Sequence, residues 1–165
     1  MSDDAEEDEP RGVFDRFDST CATVEEYVGF WRNHPALKSA WDEDIEAFVH
    51  CDYVEDEDGV HCIVNETAAM VEAQDLLFDR LTRKSVTRVS APVRLMRAER
   101  GMFDDEPLIP LPELEEFLPD HPHVSVETVL DVNHWTILLG GGHGPRRVAA
   151  TLAELAVGEL PGSSD

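Results

Sequence analysis

The 165-residue chain carries 36 acidic against 13 basic residues, a formal charge of −23, and 42% of its residues are hydrophobic. Charge of that sign and size is repelled by nucleic-acid backbones and anionic membrane surfaces, so neither is an expected partner. The apolar fraction is enough to fill one core, but the longest apolar run, Trp135 to Leu139, is far short of the roughly 20 residues a bilayer takes.

Cys21, Cys51 and Cys62 are odd in number and lack CxxC spacing, which argues against a disulfide framework. The first ten residues are acidic rather than basic-then-apolar, unlike a secretory signal, so a reducing cytoplasm is the expected compartment. Lysine occurs only at Lys38 and Lys84. An acid-rich, lysine-poor surface suits high salt. Mutational bias in a GC-rich genome produces the same composition.

Residues 1–18, with six acidic residues in the first nine, read as a disordered acidic tail. Residues 19–88 read as a helical lid. Ser19 or Thr20 caps a first helix whose Val24, Tyr27, Val28 and Trp31 fall at helical spacing, and Asn33-His34-Pro35 ends it. A second helix is predicted over 41–50, with Trp41, Ile45, Phe48 and Val49 on one face. Residues 55–59 read as a turn and 60–64 as a short strand. A third helix starts at Asn65 or Thr67 and carries Met70, Val71, Leu76, Leu77 and Leu81.

After Ala91-Pro92 the pattern becomes strand, helix, strand, helix. Short strands are predicted over 93–96 and 124–130, with a helix at 112–118 between them. A last helix is predicted over 145–157, with Pro145 in its first turn, and then a frayed tail over 158–165. That grammar gives two parallel strands joined by a crossover, an α/β arrangement.

Functional groups of an open α/β sheet gather where strands end at their carboxyl side. The first strand leads into Gly101-Met102-Phe103-Asp104-Asp105-Glu106 and the second into Asn133-His134-Trp135. Neighbouring strands lie about 4.8 Å apart, so an acidic loop and a histidine loop emerge side by side. A carboxylate on one imidazole nitrogen fixes the tautomer and leaves the other nitrogen free as a base. Taken singly, His134 reads as a packing residue, and the aspartates read as ordinary members of a very acidic chain. Their joint placement is the signal.

Two motifs carry a family resemblance: Pro92-Val93-Arg94-Leu95-Met96-Arg97-Ala98-Glu99-Arg100-Gly101 and Asn133-His134-Trp135-Thr136-Ile137. With them, residues 24–155, about four-fifths of the chain, resemble the lid and C-terminal half of α/β-hydrolases. The resemblance implies a partial α/β-hydrolase fold, a helical lid over 19–88 followed by a β-α-β-α unit with two parallel strands over 89–157. It makes His134 the counterpart of the catalytic histidine. Many relatives have an aspartate where this chain has Gly101; here Asp104, or else Asp105, is the acid the resemblance implies.

No Gly-x-Ser-x-Gly occurs in the sequence. The expectation is therefore a truncated or partial hydrolase of ester, thioester or similar acyl compounds. It would be inactive alone, its nucleophile belonging to an N-terminal half, and prone to dimerise through an unpaired strand edge. Trp31, Trp41 and Trp135 are candidates to line an apolar substrate pocket. No cofactor is expected. Two other readings stand beside this one: a non-catalytic acidic dimerisation or binding module, and a metal site from His34, His50, Cys51, His61 and Cys62, whose spacing matches no zinc pattern. Gly140-Gly141-Gly142-His143-Gly144 before the last helix has the look of an anion-cradling loop but lacks the GK[ST] ending.

Overall fold

The computed structural model of the chain describes residue 17 and residues 19–78 and 85–157. The expected tails, apart from Phe17, lie outside those residues, as do Leu81 and the side chains of Leu76 and Leu77. In chain order the elements are β1 (Thr20–Cys21), α1 (Val24–Arg32), α2 (Glu43–His50), β2 (Tyr53–Asp56), β3 (Gly59–Cys62) and α3 (Glu66–Phe78). They continue with β4 (Val93–Ala98), α4 (Leu111–Phe117), β5 (Val124–Val129) and α5 (His143–Ala156).

The first layer is not purely helical. β1, β3 and β2 form a three-stranded antiparallel sheet in that order, beside α1 and α2. The segment 55–59 expected as a turn is mostly strand: Asp56 pairs with Gly59, and only Glu57 and Asp58 make the bend. Their acidic neighbours Glu55 and Asp56 point into solvent, which hides the strand pattern. Thr20 pairs with His61 instead of capping a helix. The cap of α1 is Thr23, whose hydroxyl accepts from the Glu26 N–H at 3.2 Å, while the Glu26 carboxylate reaches back to the Ala22 N–H at 2.8 Å. This is a variant of the Thr-x-x-Glu cap in which the glutamate holds the N–H of the residue before the N-cap.

Tyr27, Val28, Trp31, Leu37, Ile45, Val49 and Val60 form the buried core of this layer, with Trp135 and Leu139 from the far end of the chain packed against it. Each such side chain contributes about 1.5–3 kcal/mol on burial. At its base the Tyr27 hydroxyl donates to Asp52 Oδ2 at 2.7 Å, which ties α1 to the start of the hairpin. Burial, together with that carboxylate, pushes the Tyr27 hydroxyl far above the usual tyrosine range. In α3, Met70 and Val71, two of the apolar residues that marked this helix in the sequence, are exposed.

β4 and β5 pair in parallel, in register from Val93 opposite Val124 to Ala98 opposite Val129. Parallel strands need a crossover, and the chain provides it through α4. The two-strand unit expected from the sequence therefore forms, each strand within two residues of its expected bounds. α5 docks in an unusual way. Its Arg147 makes a two-pronged contact with the Glu127 carboxylate of β5, and its Glu154 accepts from Arg94 of β4 at 3.1 Å. Charged groups face the sheet while Leu152 and Leu155 are exposed. Gly144 allows the close approach of the helix start: a Cβ there would run into the Thr136 carbonyl and Ile137 Cα. Among the described residues no helix is long and apolar enough to cross a membrane.

Candidate active site at the ends of the parallel strands

Because Ala98 and Val129 are register partners, the loops after β4 and β5 leave the sheet side by side and stay joined. Arg100 N–H donates to the Val132 carbonyl at 3.1 Å, and His134 N–H to the Gly101 carbonyl at 3.3 Å. Both loops contain an aspartate in the left-handed backbone region, Asp104 at φ 68° and Asp131 at φ 59°. Non-glycine residues rarely adopt that conformation, and the surrounding bonds hold it in place. Gly101 closes the acidic loop through its N–H to the Asp105 carbonyl at 2.9 Å. It is buried, and a Cβ on it would meet the Glu106 carbonyl and the Asp105 carboxylate. A side chain at this position therefore has no room while the loop keeps this path.

His134 sits in a turn closed by Ile137 N–H to the Asn133 carbonyl at 3.1 Å. Its ring meets the Trp135 ring edge-on, with centroids 5.6 Å apart. The Trp135 indole N–H is in turn anchored to the Met102 carbonyl of the acidic loop at 2.9 Å. His134 is an exposed residue, with Trp135 as its aromatic neighbour. Lost solvation holds its pKa below the ordinary histidine value, which favours the neutral imidazole at pH 7.

The structure brings Asp104, Asp105 and His134 onto adjoining loops, but it directs the carboxylates elsewhere. Asp104 Oδ1 accepts from Asn133 Nδ2 at 3.0 Å and pairs with Arg100 Nε at 3.1 Å. Asp105 Oδ1 accepts from the Phe103 N–H at 3.3 Å. Among the described residues, no side chain hydrogen-bonds the His134 ring. Of the three tryptophans, only Trp135 touches His134. Trp31 is 1% exposed and belongs to the core, and Trp41 gives its indole N–H to Glu46 at 3.1 Å.

Two residues take roles in this region that the sequence reading did not give them. His34, buried just beyond α1, stacks on Phe103 of the acidic loop with centroids 5.6 Å apart. Asn133 ties the two loops together. A signal for His34 exists in hindsight, since it follows the apolar stripe of α1 and precedes a proline. Residues of metal-binding type are scattered: His50 lies against Tyr53, His61 pairs with Asp56, and Cys62 is buried beside Asp52. Among the described residues, no three His, Cys, Asp or Glu side chains stand so as to hold a metal ion.

A cavity of about 270 Å³ opens beside the histidine turn, bordered by Asp42, Arg100, Asp131, Asn133, Thr136 and His143. Here the glycine loop does bind an anion, but one of the chain's own. Gly141 N–H donates to Asp42 Oδ2 at 2.8 Å, while Asp42 Oδ1 caps α2 through the Asp44 and Ile45 N–H groups at 3.1 and 3.0 Å. The amides of Ile45 and Gly141 hold the Asp42 carboxyl below its usual pKa. Asp42→Ala is expected to cost about 1 kcal/mol of stability at pH 7, the typical worth of such a cap. Because the folded pKa is depressed, the charge-dependent part is present above the unfolded value of about 4. It is lost as the pH falls through the lower folded value. Urea melts of wild type and Asp42→Asn are therefore expected to converge below pH 4, and a gap independent of pH would contradict this account.

No protein-family model matches the chain, and no curated protein matches it. The comparison that does succeed is one of shape, and the class it defines is an α/β-hydrolase-like fold. The solved structure is the crystal structure of E-2-(acetamidomethylene)succinate hydrolase, with a TM-score of 0.63 and 12% sequence identity over 84% of this chain. The match covers 47% of that hydrolase, so this chain spans about half the length of the structure it resembles.

Proposed function

We propose that this chain carries the histidine-and-acid part of an α/β-hydrolase acyl-transfer site. In it His134 is the general base, Asp104 or Asp105 its orienting acid, and the substrate an ester, thioester or related acyl compound. The observation that carries the reading is the position of His134 on the loop leaving β5, beside the acidic loop leaving β4, in a fold of α/β-hydrolase type. An exposed histidine whose pKa is lowered by partial loss of solvation suits a group that must accept a proton at pH 7. In this reading one carboxylate leaves Arg100 or the Phe103 amide for the imidazole when the site is assembled. The serine and its oxyanion donors come from a polypeptide segment outside these 165 residues, because the sequence has no Gly-x-Ser-x-Gly.

Triad members act as a unit, so the 165-residue chain is expected to turn over p-nitrophenyl esters no faster than its His134→Ala variant. Joined to a nucleophile-bearing segment encoded upstream in frame, it is expected to gain turnover. His134→Ala is then expected to lower kcat by roughly 10³-fold or more. Turnover by the joined protein that survives His134→Ala would overturn the assignment.

A second reading, that of an acidic binding module in which His134 has no chemical role, is favoured by one observation. Both aspartates already have partners other than the imidazole. Absence of turnover from the joined protein would favour it.

A further inference from the structure

Among the described residues no side chain hydrogen-bonds the His134 ring, so the direction of the ring is set by the turn beneath it and by Trp135. That turn is built by one buried amide. Asn133 is 2% exposed. Its Oδ1 accepts from the backbone N–H groups of Trp135 at 3.1 Å and Thr136 at 3.0 Å, and from the Thr136 hydroxyl at 3.1 Å. Its Nδ2 donates to the Ala36 carbonyl at 2.7 Å and to Asp104 Oδ1 at 3.0 Å. Its own N–H goes to Thr136 Oγ1 at 2.9 Å. Both donors and the acceptor of the amide are in use.

Three parts of the molecule meet on this side chain: the turn that presents His134, the loop that holds Asp104, and the segment after α1 that belongs to the first layer. We propose that Asn133 is the positioning residue of the His134 site, fixing the base and holding the candidate acid and the first layer in register with it. The proposal rests on reading His134 as the base.

The residue type follows from the geometry. Aspartate lacks the two N–H donors and would set a second carboxylate against Asp104 and the Ala36 carbonyl. Serine reaches the turn amides but falls short of Ala36 and Asp104. Leucine has the bulk without the bonds, and would leave the Ala36 carbonyl and the turn N–H groups without these partners.

Histidine-ring NMR on the 165-residue chain tests this without any turnover. In wild type, the His134 ring signals are expected to be displaced by the Trp135 ring current and to titrate below the ordinary histidine value. In Asn133→Ala, the displacement is expected to collapse and the titration to move up to the ordinary value. The chemical shifts of the His50 ring and of the backbone amides of the β2–β3 hairpin are expected to be unchanged. A folded Asn133→Ala protein whose His134 signals are unmoved overturns the proposal.

If Asn133→Ala does not fold, Thr136→Ala decides, because it strips one hydroxyl from the cluster and leaves Asn133 in place. Movement of His134 in the same direction supports the proposal, and an unmoved His134 overturns it. The hydrolase reading fails by a different measurement, absence of turnover from the joined protein, so the two failures are distinguishable.

Discussion

Trp31→Ala is expected to remove about 3–5 kcal/mol of stability, the usual cost of deleting a large buried aromatic. The indole is 1% exposed and meets three rings: Phe30 at 5.7 Å, His34 at 5.8 Å and Trp135 at 5.4 Å. Trp135 packs directly against His134, so this one side chain joins the core of the first layer to the candidate site. A domain has only about 5–15 kcal/mol in total, so the variant is expected to be largely unfolded at moderate denaturant concentrations that leave wild type folded. Urea melts followed by far-UV circular dichroism check this. Trp41→Ala provides the contrast. That ring is half-buried beneath the Arg32 guanidinium, 5.5 Å from its centroid, and its loss is expected to cost distinctly less. Equal losses from the two variants would contradict the core assignment.

Gly101→Asp is the second large effect. It puts a charged side chain at a buried glycine, and it is expected to damage the protein. A side chain here runs into the Glu106 carbonyl and the Asp105 carboxylate, and the new charge lies among acidic neighbours. Overpacking alone costs about 1–3 kcal/mol, and the added carboxylate is poorly solvated in a buried position. The Gly101 carbonyl also accepts from His134 N–H, so the histidine turn is expected to shift with it. A thermal melt is expected to show a clear drop for Gly101→Asp and almost none for Gly142→Ala, where an added Cβ meets nothing within 4 Å. An undiminished melting temperature for Gly101→Asp would mean that the loop takes another path.

What the sequence revealed, and what it hid, follows from how local each signal is. The stripe of Tyr27, Val28 and Trp31 reads out α1, because burial of one helix face depends on spacing alone. The short apolar run of β4, the valine-rich β5 and the proline-marked helices around them give the parallel pair, and with it the meeting of the two loops. β2 escaped notice because Glu55 and Asp56 interrupt the apolar alternation, and their strand character comes from pairing with β3. Along α5 the leucines do not mark the docked face, since Leu152 and Leu155 are exposed. The charges of Arg94 and Glu127, distant in sequence, select the arginine and glutamate side instead. The choice of Asp104 between His134 and Arg100 is likewise a matter of side-chain direction in three dimensions. Composition and spacing carry no trace of it, and the same holds for the reach of Asn133 to Ala36, across 97 positions.

The most direct measurement is fluorophosphonate labelling of the 165-residue chain, alone and with its reading frame extended upstream, each with and without His134→Ala. The account predicts no labelling of the chain alone, labelling of the extended protein at a serine outside these 165 residues, and its loss in His134→Ala. Labelling of the chain alone at one of its own serines, abolished by His134→Ala, would contradict it by showing that the nucleophile lies within this sequence.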